Sequence, residues 1–269
     1  MAATTIELGT PKILARIEDG IGWLTFNQPE KRNAVSLAMW EAVAAAAERF
    51  AADADVRVVI MHGAGGKAFV SGADISEFDR VRDSAEAEAR YSAISSTARK
   101  RLEALDKPLI AMIQGFCIGG GMATAMVADI RISAEDGRFG IPAAKLGVAY
   151  AYHSLQRLAW LVGPAIAKEI MFTGRQLDAA EALRVGLVNR VVPAAELEAA
   201  TTEMARTITR NAPLSIRASK EALEQITGGP ARADMSRFEA LYRACFDSAD
   251  YAEGRAAFMA KRPPVFTGR

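Results

Sequence analysis

The N-terminal part of the chain alternates apolar and polar residues in two short runs that predict a β-hairpin. The runs cover residues 13–17 and 21–26, and the pair Asp19-Gly20 lies between them. An Asp-Gly pair flanked by alternating apolar residues is typical of a tight hairpin turn, because both residues tolerate a positive φ. We therefore expect two antiparallel strands near the start of the fold.

Strand and helix patterns alternate through the first part of the chain, and helical patterns then continue alone. Mostly apolar runs predict strands at residues 56–61, 109–113, 130–134 and 187–192. Ser36 is a good N-cap for a helix over 37–52, and Pro213 predicts a break between later helices. This order predicts an α/β core over residues 1–195 and a helical C-terminal region over 196–269.

A glycine triplet at residues 119–121 is the feature with the clearest chemical meaning. It follows the apolar run 109–113 and leads into a helix of small residues. The first turn of a helix has backbone N–H groups without acceptors, and glycine lets a ligand approach them closely. The triplet therefore suits an oxygen that becomes negative. The same residues also fit an ordinary tight connection between a strand and a helix.

The glycine-rich segment 62–75 fits no nucleotide-binding motif. Three of its residues have the spacing of a dinucleotide fingerprint, but that motif opens a helix and the residues that follow here look extended. The phosphate-loop motif fails as well, because Lys67 is followed by alanine where serine or threonine is required. What remains is a loop with an exposed Lys67 and the small residues 71–73, whose backbone can lie against a ligand.

Composition and charge exclude several classes of function. Thirty-three basic and 32 acidic residues give a formal net charge of +1, so we expect no nucleic-acid partner. Cys117 and Cys245 form no CxxC pair, which argues against a disulfide framework and a metal site. No apolar run approaches the length of a membrane span, and the N-terminus has no secretion signal. These features predict a cytoplasmic protein without a membrane partner.

Six colinear segments resemble the enoyl-CoA hydratase/isomerase, or crotonase, superfamily and span nearly the whole chain. They are NQPEKRNA, GKAFVSGADI, KPLIAMIQGFCIGGGMATAMVADIRI, FGIPAAKLGV, MFTGRQLDAAEALRVGLVNRVV and EGRAAFMAKRPPVF. The resemblance implies an α/β fold, a crotonase-type spiral of repeated ββα units with a helical C-terminal region used for trimerisation. It also implies an acyl-CoA thioester as ligand, a homotrimer or a dimer of trimers, and a role in fatty acid metabolism. No separate cofactor is implied, because coenzyme A is part of the substrate.

In this superfamily two backbone N–H groups hold the thioester carbonyl oxygen in an oxyanion hole. The resemblance assigns these groups to Ala73 in SGADI and to Gly120 in the glycine triplet. Two preorganised donors aimed at an enolate oxygen lower the barrier by roughly 3–4 kcal/mol each. By the same resemblance, coenzyme A binds Lys31, Arg32, Ala34, Lys67, Asp74, Ile75, Gly119, Tyr242 and Lys261. In the superfamily, the positions of Tyr242 and Lys261 reach the nucleotide end of coenzyme A, often from a neighbouring subunit.

The chain departs from the superfamily pattern at the acid and the base. Typical hydratases carry glutamates at the positions of Ala123 and Ala143. Hydration needs one group to activate water and another to move a proton to Cα, and two alanines supply neither. The glycine-rich stretch that usually follows is replaced by residues 150–155, in which Tyr150 and His153 are the candidate acid/base side chains.

Three functions remain open on the sequence alone. The first is an atypical lyase that combines the oxyanion hole with Tyr150 or His153, as in relatives that decarboxylate malonyl-type CoA esters and carry a tyrosine in an LGVxY sequence. Some of those relatives have a histidine where this chain has Ala73, and that histidine is absent here. The second is a hydratase or double-bond isomerase with an unusual catalyst. The third is a non-catalytic acyl-CoA-binding or regulatory homologue.

Overall fold

The computed structural model describes residues 3–74, 85–228 and 234–269, without the side chains of 85–89 and 228. This part of the chain contains eleven strands and ten α-helices. The strands are β1 Thr4–Ile6, β2 Ile13–Glu18, β3 Ile21–Phe26, β4 Val58–Gly63, β5 Ala68–Val70, β6 Leu109–Ile113, β7 Phe116–Ile118, β8 Ile130–Ala134, β9 Arg138–Gly140, β10 Gln176–Asp178 and β11 Arg190–Val192. The helices are α1 Leu37–Ala52, α2 Ala85–Glu103, α3 Gly120–Ala125, α4 Ala143–Leu146, α5 Tyr152–Thr173, α6 Ala179–Arg184, α7 Leu197–Thr209, α8 Pro213–Gly228, α9 Met235–Phe246 and α10 Ala249–Met259.

The described strands form two β-sheets. A seven-stranded sheet has the order β1-β2-β3-β4-β6-β8-β11, and a four-stranded sheet has the order β10-β9-β7-β5. In the large sheet the strands from β3 to β11 are parallel neighbours, and in the small sheet β5, β7 and β9 are parallel. The successive units β4-β5-α2, β6-β7-α3 and β8-β9-α4 therefore each add one strand to each sheet, which is the repeated ββα arrangement expected from the sequence.

The local signals at the N-terminus are confirmed. β2 pairs antiparallel with β3, and Asp19 and Gly20 between them have φ angles of 51° and 79°. The Ser36 hydroxyl accepts the N–H of Met39 and so caps α1. Both predictions hold because the residues that determine these features are adjacent in the sequence.

The mostly apolar sequences of the central strands are explained by a large sheet that is covered on both faces. In β4, Val59 and Met61 face the main core, which is shared with the small sheet and α1. Val58 and Ile60 point the other way and pack in a second cluster with Leu197 of α7. A parallel strand buried on both faces needs apolar side chains at every position, so the alternating pattern is lost.

The strand predicted over residues 187–192 is shorter in the structure, where β11 begins at Arg190. Leu187 and Val188 are buried, but their N–H groups donate to the carbonyl of Ala182 at the end of α6. These two residues therefore close the helix instead of joining the sheet. Among the helices described, none is both long enough and apolar enough to cross a membrane.

We expect Ser36→Ala to lower the free energy of unfolding by about 1 kcal/mol, because the first turn of α1 loses a hydrogen-bond acceptor for the N–H of Met39. Ser92→Ala, at an exposed position within α2, is the control and should change this free energy by less than about 0.5 kcal/mol. Urea denaturation of the two variants measures the difference. Equal stabilities would contradict the capping role of Ser36.

Candidate functional site

Three parallel strands of the small sheet end at the same edge. Ala73 follows β5, Gly120 follows β7 and Ala143 follows β9. Loops beyond the carboxyl ends of neighbouring parallel strands are common ligand sites in α/β proteins. Strand pairing thus brings together the segments to which the sequence resemblance assigns the oxyanion hole and one of the two replaced glutamates.

The backbone around Ala73 is held by a parallel bridge to Val35. The Val35 N–H donates to the Gly72 carbonyl at 2.9 Å, and the Asp74 N–H donates to the Val35 carbonyl at 3.1 Å. Since the groups that flank Ala73 are bonded to Val35, the N–H of Ala73 itself points to the opposite side of the strand. Within the described part of the chain, this N–H has no acceptor.

Gly120 is the first residue of α3, directly after the helix cap Gly119. Gly119 has φ 55° and ψ −113°, a conformation that glycine adopts without strain. Its N–H donates to the Gly140 carbonyl at 2.8 Å, which ties the end of β7 to the end of β9. The N–H of Gly120 belongs to the helical turn whose amides have no intrahelical acceptor. A Cβ added to Gly120 would lie 3.9 Å from the Gly72 backbone, so the two loops lie side by side.

Tyr150 contacts the glycine triplet through its hydroxyl group. The hydroxyl donates to the Gly119 carbonyl at 2.9 Å, and the same carbonyl accepts the N–H of Ala123 at 3.0 Å. Burial raises the pKa of the Tyr150 phenol above its ordinary value, and the charge of Arg99 offsets only part of that effect. The hydroxyl is therefore a neutral donor at physiological pH. A role for Tyr150 in proton transfer stays a prediction.

His153 belongs to a cluster of charged side chains. Its Nε2 lies 2.8 Å from an oxygen of Glu103, and Arg157 donates to the other oxygen of Glu103 at 2.6 Å. Arg157 also pairs with Glu224 at 3.3 Å and donates to the Met126 carbonyl at 3.2 Å. The cluster links α2, α5 and α8. A catalytic role for His153 stays a prediction, and its ring is engaged by Glu103 in this structure.

The pKa of Glu103 is set by opposing effects. Burial raises it, but hydrogen bonds and charge from Arg157 and His153 outweigh burial and leave it below the ordinary value of 4.5. The sequence did not reveal this cluster, because Glu103 and His153 lie 50 residues apart in different helices. The large separation leaves no local pattern that would signal the contact.

The residues proposed to bind coenzyme A fall into different environments. Lys31 forms an ion pair with Asp74 at 2.8 Å, and Ala34 is buried. The Arg32 guanidinium lies over the Phe116 ring at 4.9 Å from its centre, and Lys67 is exposed just before β5. Ile75 lies outside the described residues.

The two C-terminal candidates lie among the last helices. The ring of Tyr242 on α9 packs between those of Phe238 and Phe246 in a tilted arrangement, with ring centres 6.1 Å and 4.9 Å away. Lys261 follows α10 with φ 50° and is exposed. Their predicted contact with coenzyme A bound to a neighbouring subunit stays a prediction.

Two polar residues that the sequence did not single out shape the loop before the site. Asn33, with φ 55°, donates through its amide to the carbonyls of Ala64 and Ala68 and accepts the N–H of Gln28. The side chains of Asn33 and Gln28 are both fully buried. The Gln28 amide donates to Asp74, which fixes the residue after Ala73. A buried asparagine with a positive φ has no signature in the sequence beyond its residue type.

Glu103→Gln is expected to lower the free energy of unfolding at neutral pH by roughly 1–3 kcal/mol, because charged hydrogen bonds to Arg157 and His153 are lost. The folded pKa of Glu103 lies below its unfolded value, so its stabilisation is present at neutral pH and is lost as pH falls through the folded pKa. The difference between wild type and variant should therefore shrink below pH 4.5.

Denaturation at a series of pH values measures this difference. Glu48→Gln is the matched control, since Glu48 pairs with Arg101 at 2.9 Å but is 59% exposed. We expect that variant to lose at most about 1 kcal/mol. A Glu103→Gln variant as stable as Glu48→Gln at neutral pH would contradict the structural role of the cluster.

Gly121→Ala is expected to destabilise the protein by about 1–3 kcal/mol, the range found for overpacked sites. A Cβ at this position would overlap the carbonyl oxygen of Val70 at the end of β5, so the first turn of α3 would have to move. Gly120→Ala is the control, because its Cβ meets no described atom closer than 3.9 Å. Thermal unfolding compares the two, and equal melting temperatures would contradict the close packing of α3 on β5.

The chain matches known proteins over nearly its whole length. The profile of the enoyl-CoA hydratase/isomerase family covers residues 16–269. The short-chain-enoyl-CoA hydratase of Clostridium acetobutylicum is 35% identical over 251 residues, which are 93% of this chain and 95% of that protein. The crotonyl-CoA hydratase of Syntrophomonas wolfei is 34% identical over 261 residues, 96% of this chain and 98% of that one.

The fold also matches that of a solved structure. An enoyl-CoA hydratase/carnithine racemase from Magnetospirillum magneticum has a crystal structure that superposes with a TM-score of 0.92, at 41% identity and over 97% of each chain. The ββα spiral expected from the sequence is confirmed. The chain therefore belongs to the enoyl-CoA hydratase/isomerase superfamily, whose members act on acyl-CoA thioesters.

Proposed function

We propose that this chain binds an acyl-CoA thioester with its carbonyl oxygen between the N–H groups of Ala73 and Gly120, and that it stabilises the enolate formed there. One observation carries the proposal: the pairing of β5 with β7 sets the two loops side by side, and neither N–H has an acceptor within the described residues. Such donors act strongly on a developing oxyanion because they are already in place before the reaction.

The carboxylate of Asp74, the residue after Ala73, forms an ion pair with Lys31. The Asp74 side chain is 4% exposed, pairs with Lys31 at 2.8 Å and accepts the Gln28 amide at 3.1 Å. An unpaired carboxylate at this position would repel the negative charge that develops on an enolate. The ion pair with Lys31 reduces that repulsion, which supports the proposed chemistry.

The reaction that suits this site best is the loss of carbon dioxide from a 2-carboxyacyl-CoA. The bond between Cα and the carboxylate carbon breaks, carbon dioxide leaves, and the electron pair enters the enolate. A proton from water then completes Cα. No base is needed to form this enolate, whereas hydration needs two acid/base groups. Alanine at the buried positions 123 and 143 is compatible with the first reaction and not with the second.

Two cations support the binding of the coenzyme A portion. Arg32 lies over the Phe116 ring, and the Phe116 N–H donates to the Lys67 carbonyl at 3.2 Å. Both residues thus border the start of β7, a strand of three residues that is followed directly by Gly119. We propose that they attract the phosphates of coenzyme A, since guanidinium and ammonium groups bind phosphate oxygens well.

We also propose that the C-terminal helices assemble the protein into trimers. Large apolar side chains are exposed there in the single chain, including Ile226 at 73%, Phe258 at 83% and Met259 at 82%. Apolar side chains clustered on a surface are typical of protein interfaces. A neighbouring subunit that covers this surface would also bring Tyr242 and Lys261 to the coenzyme A of another chain.

A second candidate function is acyl-CoA binding without catalysis. It is favoured by the engagement of both candidate acid/base groups, the Tyr150 hydroxyl by the Gly119 carbonyl and His153 by Glu103. A side chain that is already hydrogen-bonded has to leave its partner before it transfers a proton to or from a ligand. In this case the oxyanion hole would hold the thioester without turning it over.

We expect the purified protein to convert methylmalonyl-CoA to its decarboxylated acyl-CoA. Crotonyl-CoA hydration should be slower by at least about 10²–10⁴-fold than with a superfamily hydratase that carries both glutamates, because each of the two acid/base groups contributes about that factor. Mass analysis of the CoA products and loss of the conjugated thioester absorbance measure the two reactions.

The other outcomes separate the alternatives. Rapid hydration of crotonyl-CoA without decarboxylation would contradict the proposed reaction and identify a hydratase with an unusual catalyst. Saturable binding of both thioesters without turnover would identify the non-catalytic binder. Absence of binding to any acyl-CoA, measured by calorimetry on folded protein, would contradict the oxyanion hole itself.

A further inference from the structure

The peptide unit between Gly119 and Gly120 has hydrogen-bonding groups on two sides. Its carbonyl belongs to Gly119, and its N–H is the one that Gly120 contributes to the proposed oxyanion hole. The peptide is trans, so the carbonyl and the N–H point in opposite directions within one plane. The Tyr150 hydroxyl donates to this carbonyl at 2.9 Å. The phenol therefore lies behind the donor, on the side away from a bound thioester oxygen.

We propose that Tyr150 is a positioning residue that polarises the Gly119-Gly120 peptide and strengthens the hydrogen bond from the Gly120 N–H to the thioester oxygen. This inference rests on the proposed oxyanion hole. A donor on the carbonyl draws electron density away from the peptide nitrogen, which makes the N–H more positive. Such cooperativity strengthens a hydrogen bond by roughly 10–30%.

The other donor peptide has the same arrangement with a different partner. The Gly72 carbonyl, which shares a peptide unit with the Ala73 N–H, accepts the N–H of Val35 at 2.9 Å. Both proposed donors thus belong to peptides whose carbonyls are hydrogen-bonded from behind. For Ala73 the partner is the main-chain N–H of Val35, which only a substitution by proline would remove. For Gly120 the additional partner is a side chain, so its effect is open to mutation.

The Tyr150 bond adds to an ordinary helical one. The Gly119 carbonyl already accepts the N–H of Ala123 at 3.0 Å, as expected for the first turn of α3. Tyr150 and Ala123 therefore donate to the same carbonyl at the first turn of α3, and the sequence resemblance marks both residues as departures from the superfamily pattern.

Turnover alone does not distinguish this role from proton donation to Cα. A proton donor acts when the enolate collapses, whereas a polarising group acts already on the bound thioester. The distinguishing measurement is therefore the polarisation of the thioester carbonyl in a complex that does not react. Butyryl-CoA labelled with ¹³C at its carbonyl is a suitable probe, because it has neither a 2-carboxylate to lose nor a double bond to hydrate.

In isotope-edited infrared spectra, binding to the wild type should shift the carbonyl stretch of this probe to lower frequency. Tyr150→Phe is expected to lose roughly 5–15% of that shift, because a change of about 10–30% falls on only one of the two hydrogen bonds to the carbonyl. The dissociation constant for butyryl-CoA should change less than the turnover of a reactive thioester. Tyr152→Phe is the matched control, because Tyr152 is 80% exposed and, within the described residues, its hydroxyl donates to no carbonyl.

A second variant keeps the test decisive where phenylalanine disturbs folding. Replacing Tyr150 with 3-fluorotyrosine keeps the shape of the ring and makes the phenol a stronger donor, so the carbonyl shift should increase. Wild-type shifts in both Tyr150 variants would overturn the polarising role while leaving the oxyanion hole intact. No shift in the wild type would overturn the oxyanion hole and the role of Tyr150 with it. Loss of shift in Tyr152→Phe equal to that in Tyr150→Phe would also overturn the specific role of Tyr150.

Discussion

The parallel pairing of β5 with β7 is the constraint on which the site depends. β5 is fully buried, and it pairs Ala68 with Phe116 and Val70 with Cys117. Because the strands are parallel, the loops that follow them leave the sheet at one edge. Gly121 then packs α3 directly against the end of β5, where a side chain has no room. The sheet therefore brings Ala73 and Gly120 to one edge, and the bridge from Val35 then holds the backbone of Ala73.

This construction separates charge stabilisation from proton transfer. The proposed donors are main-chain groups, so substitutions at the side chains around them leave the donors in place. The sequence resemblance places Ala123 and Ala143 where superfamily hydratases carry acid/base groups, and our proposal keeps the oxyanion hole without those groups. His153, in contrast, holds Glu103 together with Arg157 and so belongs to the packing of α2, α5 and α8. A superfamily built in this way can change its reaction while it keeps its mode of thioester binding.

The sequence predicted those parts of the fold that depend on neighbouring residues. The β2–β3 hairpin and the cap of α1 are local, and the apolar run at β4 was interpreted correctly because both faces of the large sheet are buried. β11 was predicted too long, since the apolar pattern does not show that Leu187 and Val188 bond to the end of α6.

The site was accessible to prediction only through the family resemblance. A backbone N–H has no side-chain signature, and the pairing of β5 with β7 is not visible in either strand alone. The contact between His153 and Glu103 joins residues 50 positions apart, and the partner of Tyr150 is a carbonyl. Such contacts depend on the tertiary fold, which single-sequence patterns do not encode.

The central claim is that two main-chain amides from separate loops share one thioester oxygen. A crystal structure of the protein with a bound saturated acyl-CoA tests it most directly. The account predicts that the carbonyl oxygen lies about 3 Å from the nitrogens of both Ala73 and Gly120, as in other oxyanion holes. A thioester oxygen beyond hydrogen-bonding distance of either nitrogen would contradict it.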